Sequence, residues 1–379
     1  MKVLIAIDSL KGSLTSMEGG AAITEGIHRA DPDARVQVSP LADGGEGTVE
    51  ALTSGMGGVI QNVMVTGPLG EPVNCSYGMI EKNKTAIIEM AGAAGIILVP
   101  ETKRNPLQTT TYGVGEVIYD AIKKGCRRFI VGIGGSATND GGVGMLQALG
   151  YGFLDAQGKQ IPFGAAGLEK LTSITCNHAI PELSECEFLV ACDVTNPLCG
   201  SNGASAVFGP QKGATPEMVT MMDQWLANFA ELVKTEKADV DATAPGTGAA
   251  GGLGFAFQSF TNASLKSGIS IVLEETRLEE KIKDADIVVT GEGRLDLQTA
   301  MGKAPIGVAK LAKKYNKTVI AFAGSVTKDA VECNGNGIDA FFPILRGVST
   351  LEEAMDSEQA KNNMKDTAEQ VFRLIRAIS

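Results

Sequence analysis

Histidine, tryptophan and paired cysteines are scarce in this sequence. Its 379 residues include two histidines and one tryptophan, and aromatic residues make up only 5% of the chain. The seven cysteines, from Cys75 to Cys333, are odd in number and contain no C-x-x-C pair, so neither a disulfide framework nor a zinc site is indicated. His28 lies near a predicted helix end and His178 lies in a polar segment, so neither is expected to be catalytic. We therefore expect that a general base, if the protein has one, is a carboxylate.

The sequence also lacks the features of nucleic-acid-binding and membrane proteins. The formal net charge is −11, which disfavours a phosphate-backbone partner. The apolar run at the N-terminus breaks at Asp8, and the run from Ala86 to Val99 contains Glu89, so neither a signal peptide nor a membrane span is predicted. We expect a cytoplasmic protein without nucleic-acid or membrane partners, for which a homo-oligomer is possible.

The apolar pattern at the start of the chain predicts a βαβ unit. Val3 to Ile7 is a continuous, β-branched run of the kind found in a buried parallel strand. Thr15 and Glu18 form a capping box that should begin a helix ending near Ala30, before a second strand from Arg35 to Leu41. A chain of this length is expected to form two domains.

The C-terminal hundred residues repeat this alternation, with strands predicted at 287–289, 319–323 and 340–344. We therefore predict an α/β fold in which both ends of the chain share one doubly wound sheet and the middle forms an inserted α/β domain. The predicted bounds are 1–62 with 286–379 for the discontinuous domain and 63–285 for the insert.

Glycine is unusually frequent, with 47 residues that cluster at 43–47, 132–144, 246–254 and 291–302. The segment GIGGSATNDGG at 132–142 follows a predicted strand and leads into a helix, an arrangement that points N–H groups at an anion. Its candidate phosphate-binding residues are Gly134, Gly135, Ser136, Thr138 and Asn139. Asp140 adds a carboxylate that could face a metal or a substrate hydroxyl.

Other polar residues follow predicted strands, where open α/β sheets bind their ligands. Ser9 and Lys11 follow the first strand, and Lys11 is placed to meet phosphate. Asp43 and Glu46 follow the second strand, and their oxygens suit Mg²⁺. The remaining candidates are Asp193, Asn196, Arg294, Asp296 and Lys303.

Two known nucleotide-binding motifs can be compared with these glycine-rich segments. The chain lacks G-x-x-x-x-G-K-[ST], because Gly302-Lys303 is followed by Ala304, so a Walker-type NTPase is excluded. G-x-G-x-x-G does occur at 246–251, and an alanine-ended variant at 132–137 precedes Asp155. A nicotinamide-dependent hydroxy-acid dehydrogenase and a non-catalytic sensor of small carboxylates therefore remain alternatives.

Eight segments in one order closely resemble the bacterial glycerate kinase family. They are DSLKGSL, LADGGEGT, TTTYGVGEVI, GIGGSATNDGG, CDVTNPLCGSNGA, FGPQKGA, GTGAAGGLG and GEGRLDLQTAMGKAP. The resemblance covers the whole chain. It implies two α/β domains, one flavodoxin-like and discontinuous, with the active site in the cleft between them. It further implies ATP, Mg²⁺ and glycerate, with 2-phosphoglycerate as the product.

Phosphoryl transfer mainly requires positioning and charge neutralisation, and we assign hypothetical roles accordingly. Lys11 and the N–H groups of 132–142 would bind phosphates, and Arg294 and Lys303 the glycerate carboxylate. Asp193 is the first candidate for the general base and Asp140 the second. The candidate Mg²⁺ ligands are Asp43, Glu46 and Asp296.

Overall fold

The computed structural model of the chain describes residues 1–42 and 44–378. Its strands, in chain order, are β1 (Lys2–Ile7), β2 (Arg35–Val38), β3 (Val59–Thr66), β4 (Pro72–Ile80), β5 (Thr85–Glu89), β6 (Arg128–Gly132), β7 (Gly152–Leu154), β8 (Ser173–Thr175), β9 (Glu187–Ala191), β10 (Asn262–Lys266), β11 (Ile287–Leu295), β12 (Thr318–Val326) and β13 (Ala340–Pro343).

The helices alternate with these strands along most of the chain. They are α1 (Ser16–Ala30), α2 (Thr48–Gly55), α3 (Ala91–Ala94), α4 (Tyr112–Lys123), α5 (Val143–Ala148), α6 (Ala165–Leu168), α7 (Ala204–Phe208), α8 (Pro216–Glu236), α9 (Ala249–Phe260), α10 (Gly268–Glu275), α11 (Leu278–Asp284), α12 (Leu297–Ala300), α13 (Ala304–Lys313), α14 (Glu332–Gly335), α15 (Leu351–Met355) and α16 (Ser357–Ile378).

The chain divides into two compact units. We call the first the discontinuous unit; it consists of Met1–Asp43, Glu50–Met56 and Ile269–Ser379. The second, the insert unit, consists of Gly44–Val49 and Gly57–Gly268. These bounds differ from the predicted 1–62 with 286–379 and 63–285. Residues 57–62 join the insert unit because β3 pairs with β4, and 269–285 join the discontinuous unit with α10 and α11.

The discontinuous unit is built on a parallel sheet in the order β13-β12-β11-β1-β2. Counted within the unit, this is the order 2-1-3-4-5 that characterises flavodoxin-like sheets. The apolar run of β1 is buried between β2 and β11, with Val3 opposite both Val36 and Ile287. The predicted doubly wound α/β sheet, with strands from both ends of the chain, is confirmed.

Local signals in the sequence placed several helices correctly. Thr15 caps α1, and its side chain and that of Glu18 form the predicted capping box. Thr215 caps α8, with Pro216 in the first turn, as a helix start of this kind favours. The second strand is shorter than predicted and ends at Val38, because Pro40 lacks the N–H group that a ladder needs.

The insert unit contains a mixed sheet in the order β10-β9-β6-β5-β4-β3. The strands from β10 to β5 are parallel, whereas β4 and β3 are antiparallel to their neighbours. A separate two-stranded ribbon pairs β7 with β8. The carboxyl ends of β5, β6 and β9 consequently lie side by side, which brings the loops that follow them to one edge of the sheet.

Within the described residues, no helix combines the length and the apolar character that crossing a membrane requires.

Helices α1 and α16 of the discontinuous unit pack closely, and we predict that Gly26 is required for this contact. A Cβ atom on Gly26 would lie 2.3 Å from the Lys365 carbonyl oxygen and 2.9 Å from the Ala368 Cβ atom. Gly26→Ala should therefore lower the free energy of unfolding by about 1–3 kcal/mol, the usual cost of overpacking. Urea unfolding monitored by circular dichroism measures it.

Gly19, in the same helix, is the matched control. A Cβ atom there would meet the Ile7 side chain at 3.7 Å, an ordinary contact. Gly19→Ala should raise the free energy of unfolding by about 0.4–1 kcal/mol, because alanine restricts the unfolded chain. Equal stabilities for Gly26→Ala and wild type would contradict the proposed contact.

Candidate active site

The segment Gly132–Gly142, here called the glycine turn, leaves β6 and leads into α5. Gly134 and Gly135 are exposed, whereas Ser136 to Gly142 are buried. Within the described part of the chain, the backbone N–H groups of Gly134, Gly135 and Ser136 donate to no acceptor. Consecutive N–H groups that are free in this way form an anion-binding surface.

Neighbouring segments fix the path of the glycine turn. The Ile96 N–H donates to the Gly135 carbonyl at 2.8 Å, and the Ala137 N–H donates to the Ala94 carbonyl at 2.9 Å. A Cβ atom on Gly132 would lie 2.4 Å from the Gly44 carbonyl oxygen. Only glycine allows so close an approach, so the segment beginning at Gly44 lies directly against the end of β6.

The carboxyl group of Asp140 lies inside the glycine turn and is 1% exposed. Its Oδ2 atom accepts from the Thr111 N–H at 2.8 Å, the Thr111 hydroxyl at 2.9 Å and the Gly144 N–H at 3.3 Å. Its Oδ1 atom accepts from the Gly142 N–H at 3.2 Å. Every one of these partners is a donor, as an ionised carboxylate requires. Burial raises the pKa of Asp140, and these donors oppose that shift.

Lys212 provides the buried positive charge near Asp140 and is 2% exposed. Its ammonium group donates to the Ser136 hydroxyl oxygen at 2.7 Å and to the Thr138 carbonyl oxygen at 2.6 Å. Burial lowers the pKa of Lys212 to about 7, and the negative charge of Asp140 opposes that shift. The glycine turn is thus held from within by one carboxylate and one ammonium group.

Thr138 and Asn139, predicted to bind phosphate, point their side chains into the protein. Both residues are fully buried, and the Asn139 amide donates to the Ser205 hydroxyl at 2.8 Å. The Gly141 N–H donates to the Gly251 carbonyl at 2.9 Å, so the glycine-rich segment 246–254 packs against the turn. These contacts favour a role for Thr138, Asn139 and Asp140 in shaping the turn.

The segment Gly44–Val49 is anchored to the end of β5 by Glu89. The Glu89 carboxylate accepts from the Val49 N–H at 2.7 Å. Burial is the main cause of a raised pKa for Glu89, and the charge of Glu46 raises it further. Glu46 is exposed, so two carboxylates repel one another at this edge of the insert unit. The predicted metal ligand Asp43 lies outside the described residues.

Asp193 and Asn196 lie on the loop that follows β9, as predicted. Asp193 is exposed, and its Oδ1 atom accepts from the Gly268 N–H at 3.1 Å. The Asn196 side chain donates to the Asn202 carbonyl at 2.8 Å. Gly44 packs against both Ala191 and Gly268, so the segment that begins at Gly44 also lies against the end of β9 and the residues that follow β10.

Ser9 and Lys11 follow β1 in the discontinuous unit. The Ser9 N–H donates to the buried Asp8 carboxylate at 2.7 Å. The Ser9 hydroxyl is buried and has no hydrogen-bond partner among the described residues. Lys11 is exposed.

Arg294, Asp296 and Lys303 also lie in the discontinuous unit. Arg294 was expected on a loop but belongs to β11, which continues to Leu295 because its pairing with β12 extends through Arg294 and Ser325. Its Nε atom lies 3.7 Å from the Asp296 carboxylate, and Lys303 Nζ lies 4.0 Å from Glu292. One Asp296 oxygen accepts from the Thr299 N–H at 3.1 Å and caps α12.

The predicted site residues therefore fall into two groups. The insert unit contains Glu46, Gly134, Gly135, Ser136, Thr138, Asn139, Asp140, Asp193 and Asn196, and the discontinuous unit contains Ser9, Lys11, Arg294, Asp296 and Lys303. Residues 1–42 and 44–378 contain no group of three histidine, cysteine or acidic side chains arranged to hold a metal ion.

Comparisons with known proteins identify the family of the chain. The family model described as "Glycerate kinase family" matches residues 3–376. The chain belongs to the glycerate kinase family. A glycerate kinase of Haemophilus influenzae is 50% identical over 375 residues, 99% of each chain. A glycerate 2-kinase of Escherichia coli is 51% identical over 355 residues, 93% of each chain.

A solved structure supports the same assignment to the glycerate kinase family. It is a crystal structure from Salmonella typhimurium LT2 described as a candidate glycerate kinase 2, with 49% sequence identity and a TM-score of 0.91. The match covers 100% of this chain and 98% of that chain. The α/β fold is therefore shared along the whole length.

Sequence reasoning missed three residues of the site. Lys212 lies in the segment FGPQKGA, one of those that resemble the glycerate kinase family, but a lone lysine between glycine and glutamine gives no sign of burial. Thr111 and Glu89 were missed because their partners, Asp140 and Val49, are distant in sequence. A polar residue inside an otherwise apolar strand run was the available signal for Glu89.

The buried ammonium of Lys212 predicts a specific dependence of stability on pH. Its pKa is about 7 when folded and 10.5 ordinarily, so between these values the unfolded chain binds the extra proton. Stability should therefore rise with pH in this window relative to Lys212→Met, with a slope approaching roughly 1.4 kcal/mol per pH unit. Urea unfolding of both proteins from pH 6.5 to 9.5 measures the difference.

Lys234→Met replaces an exposed lysine of α8 and is the control for loss of a positive charge. A difference between wild type and Lys212→Met that stays constant with pH would contradict the titration of Lys212 in this range.

Proposed function

We propose that this protein transfers the γ-phosphoryl group of ATP to the 2-hydroxyl group of glycerate, giving 2-phosphoglycerate and ADP. Membership of the glycerate kinase family supports the reaction. The 51% identity to a protein named glycerate 2-kinase supports the position of transfer.

The observation that carries the proposal is the run of unpaired N–H groups from Gly134 to Ser136, backed by the buried ammonium of Lys212. Donors fixed before the ligand arrives favour a polyanion such as the ATP phosphates, since no reorganisation is needed when charge develops. Lys11, after β1, would add a positive charge toward phosphate, and Ser9 a hydroxyl group.

The acidic edge of the insert unit is suited to a magnesium ion. Mg²⁺ usually binds one or two carboxylates together with substrate phosphates and water. Burial is the main cause of the raised pKa of Glu89 and the charge of Glu46 adds to it, and a divalent cation would relieve both effects. Glu46 would be the direct ligand, with Asp43 and Asp296 as the further candidates from the sequence. A bound Mg²⁺ would neutralise charge on the transferring phosphoryl group.

Arg294 and Lys303 are proposed to bind the glycerate carboxylate. Their ion pairs with Asp296 and Glu292 are partly exposed and long, so each contributes little stability and can be exchanged for a ligand carboxylate. The 2-hydroxyl is on the carbon that bears the carboxylate, and a clamp on that group fixes it more tightly than the 3-hydroxyl. Accurate placement of the reacting oxygen accelerates transfer.

Asp193 is proposed to accept the proton of the attacking hydroxyl, because it is exposed while Asp140 is enclosed. Asn196, on the same loop, would help to bind the substrate. The dehydrogenase alternative is weakened for the motif at 246–251, because the element before it is helix α8 and not the strand that a dinucleotide-binding turn needs.

We predict that the reaction forms the 2-isomer. The protein is incubated with ATP, Mg²⁺ and glycerate, and coupled to enolase without phosphoglycerate mutase. Enolase consumes only 2-phosphoglycerate, so phosphoenolpyruvate should appear at the rate of ATP consumption. Consumption of ATP without phosphoenolpyruvate would place the phosphate on the 3-hydroxyl group. Stabilisation by NADH in place of ATP would instead support a dehydrogenase, and glycerate binding without ATP turnover a sensor.

Asp193→Asn should lower kcat by about 10²- to 10⁴-fold, the usual effect of losing a general base. The amide oxygen can still accept from the Gly268 N–H, so the loop and ATP affinity should be retained. Steady-state kinetics and ATP titration measure both quantities. Asn202→Asp, which adds a carboxylate to a neighbouring exposed loop position, is the control for altered charge. A kcat within threefold of wild type would exclude Asp193 as the base.

A further inference from the structure

Lys212 is buried beneath the exposed part of the glycine turn, and the proposed reaction uses it only as a positive charge behind the phosphate-binding N–H groups. It does not reach the surface, because it is 2% exposed and both described contacts are within the turn. A buried charge is costly unless it is paired and hydrogen-bonded, and Lys212 has the Asp140 charge nearby and two hydrogen bonds to the turn. Its effect on a ligand must therefore be transmitted by one of the groups that it touches.

Ser136 is the group that can transmit it. The Lys212 ammonium donates to the Ser136 hydroxyl oxygen at 2.7 Å, so that oxygen is an acceptor in this contact. The hydroxyl hydrogen must then point elsewhere, and it meets no acceptor within the described residues. Ser136 directly follows the two exposed glycines, so this hydrogen is available at the same place as the unpaired N–H groups.

We propose that Lys212 is a positioning residue that keeps the Ser136 hydroxyl group as a hydrogen-bond donor toward a phosphate oxygen of the nucleotide. This inference rests on the proposed function for the identity of the ligand, but the contact itself is independent of glycerate. A charged lysine can only donate. It therefore fixes the direction of the serine hydroxyl as well as adding positive charge.

Loss of one proton from the Lys212 ammonium group would reverse the direction of its hydrogen bond with Ser136. A neutral amine has a lone pair and can accept the Ser136 hydrogen, which leaves the serine oxygen facing the anion. Since burial brings the pKa of Lys212 to about 7, both forms exist near neutral pH. A phosphate anion nearby favours the charged form, so ligand binding and protonation of Lys212 should reinforce each other.

The groups around Lys212 support this assignment. Asp140 is the ionisable group whose charge acts on Lys212. The backbone of Arg104 packs against Gly213, and an arginine side chain is always positively charged in proteins. Helix α7, on the other side, contains no charged residue. The titration of Lys212 is therefore sufficient to explain a change of ATP affinity around pH 7.

The test compares Ser136→Ala, Lys212→Met and the double variant, with ATP affinity measured by calorimetry between pH 6.5 and 8.5. Each single variant should bind ATP about 10- to 100-fold more weakly at pH 6.5, the effect of losing a hydrogen bond to a charged group. The double variant should be no weaker than Lys212→Met. The ratio of wild-type to Lys212→Met affinity for ATP should fall as pH rises, because Lys212 loses its proton. The titration of ATP itself is common to both proteins and cancels from this ratio.

Lys237→Met is the matched control. Like Lys212, Lys237 donates to a backbone carbonyl, that of Ser259, at 2.7 Å, but it is exposed and outside the glycine turn. It should leave ATP affinity unchanged at every pH. If Lys212→Met does not fold, Ser136→Ala still tests the proposal, because it removes only the hydroxyl oxygen and should preserve the fold. Wild-type affinity for ATP in Ser136→Ala would overturn the proposal.

Failure of this inference differs from failure of the proposed function. Inorganic tripolyphosphate is the probe that separates them. If it binds with the same dependence on Ser136 and Lys212 while glycerate is not phosphorylated, the proposed function is wrong and this inference holds. If both single variants phosphorylate glycerate with wild-type KM for ATP, or if their losses are additive in the double variant, Lys212 does not act through Ser136.

Discussion

The geometry of the glycine turn depends on a buried carboxylate. Asp140 binds three backbone N–H groups and the Thr111 hydroxyl, and it thereby gathers α4, α5 and the turn around one pair of oxygen atoms. A buried charge of this kind destabilises a protein unless donors and an opposite charge accompany it. Lys212 provides that opposite charge. Because Lys212 donates to Ser136 and Thr138, its position determines which groups of the glycine turn remain available to a ligand.

The two sides of the glycine turn consequently have different chemistry. Its inner side contains a carboxylate, an ammonium group and the fully buried residues Thr138 and Asn139. Its outer side, at Gly134 and Gly135 with the buried Ser136 next in sequence, offers hydrogen-bond donors and no carboxylate. A surface of donors alone discriminates by charge, because anions bind there while neutral acceptors gain less. The acidic pair Glu46 and Glu89, which lies where the segment Gly44–Val49 meets the end of β5 in the same unit, has the opposite preference.

Much of the fold could be predicted from the sequence, and the reasons are local. The run at β1 and the capping box of Thr15 and Glu18 depend on residues close together in the chain, so their pattern is sufficient. Strand β11 continued beyond its predicted end because its last residues pair with β12, which no local pattern reveals. In the site, the positions of the loops were predictable, but the direction of each side chain was not. The Asp140 side chain is buried while Gly134 is exposed within one turn, and Lys212, whose charge accompanies Asp140, is 72 residues away from it in the sequence.

The pairing of β1 with β11 affects how the chain is made. Val3 lies opposite Ile287, so the ribosome must add the intervening residues before the first strand can meet its central neighbour. At 5–20 residues per second this delay is roughly 15–60 seconds. During it, β1 can pair with β2 but one of its edges has no partner, while residues 57–268 are synthesised and can begin to fold. The first strand to be synthesised is thus enclosed on both edges only after most of the chain has been made, although it lies inside the finished sheet.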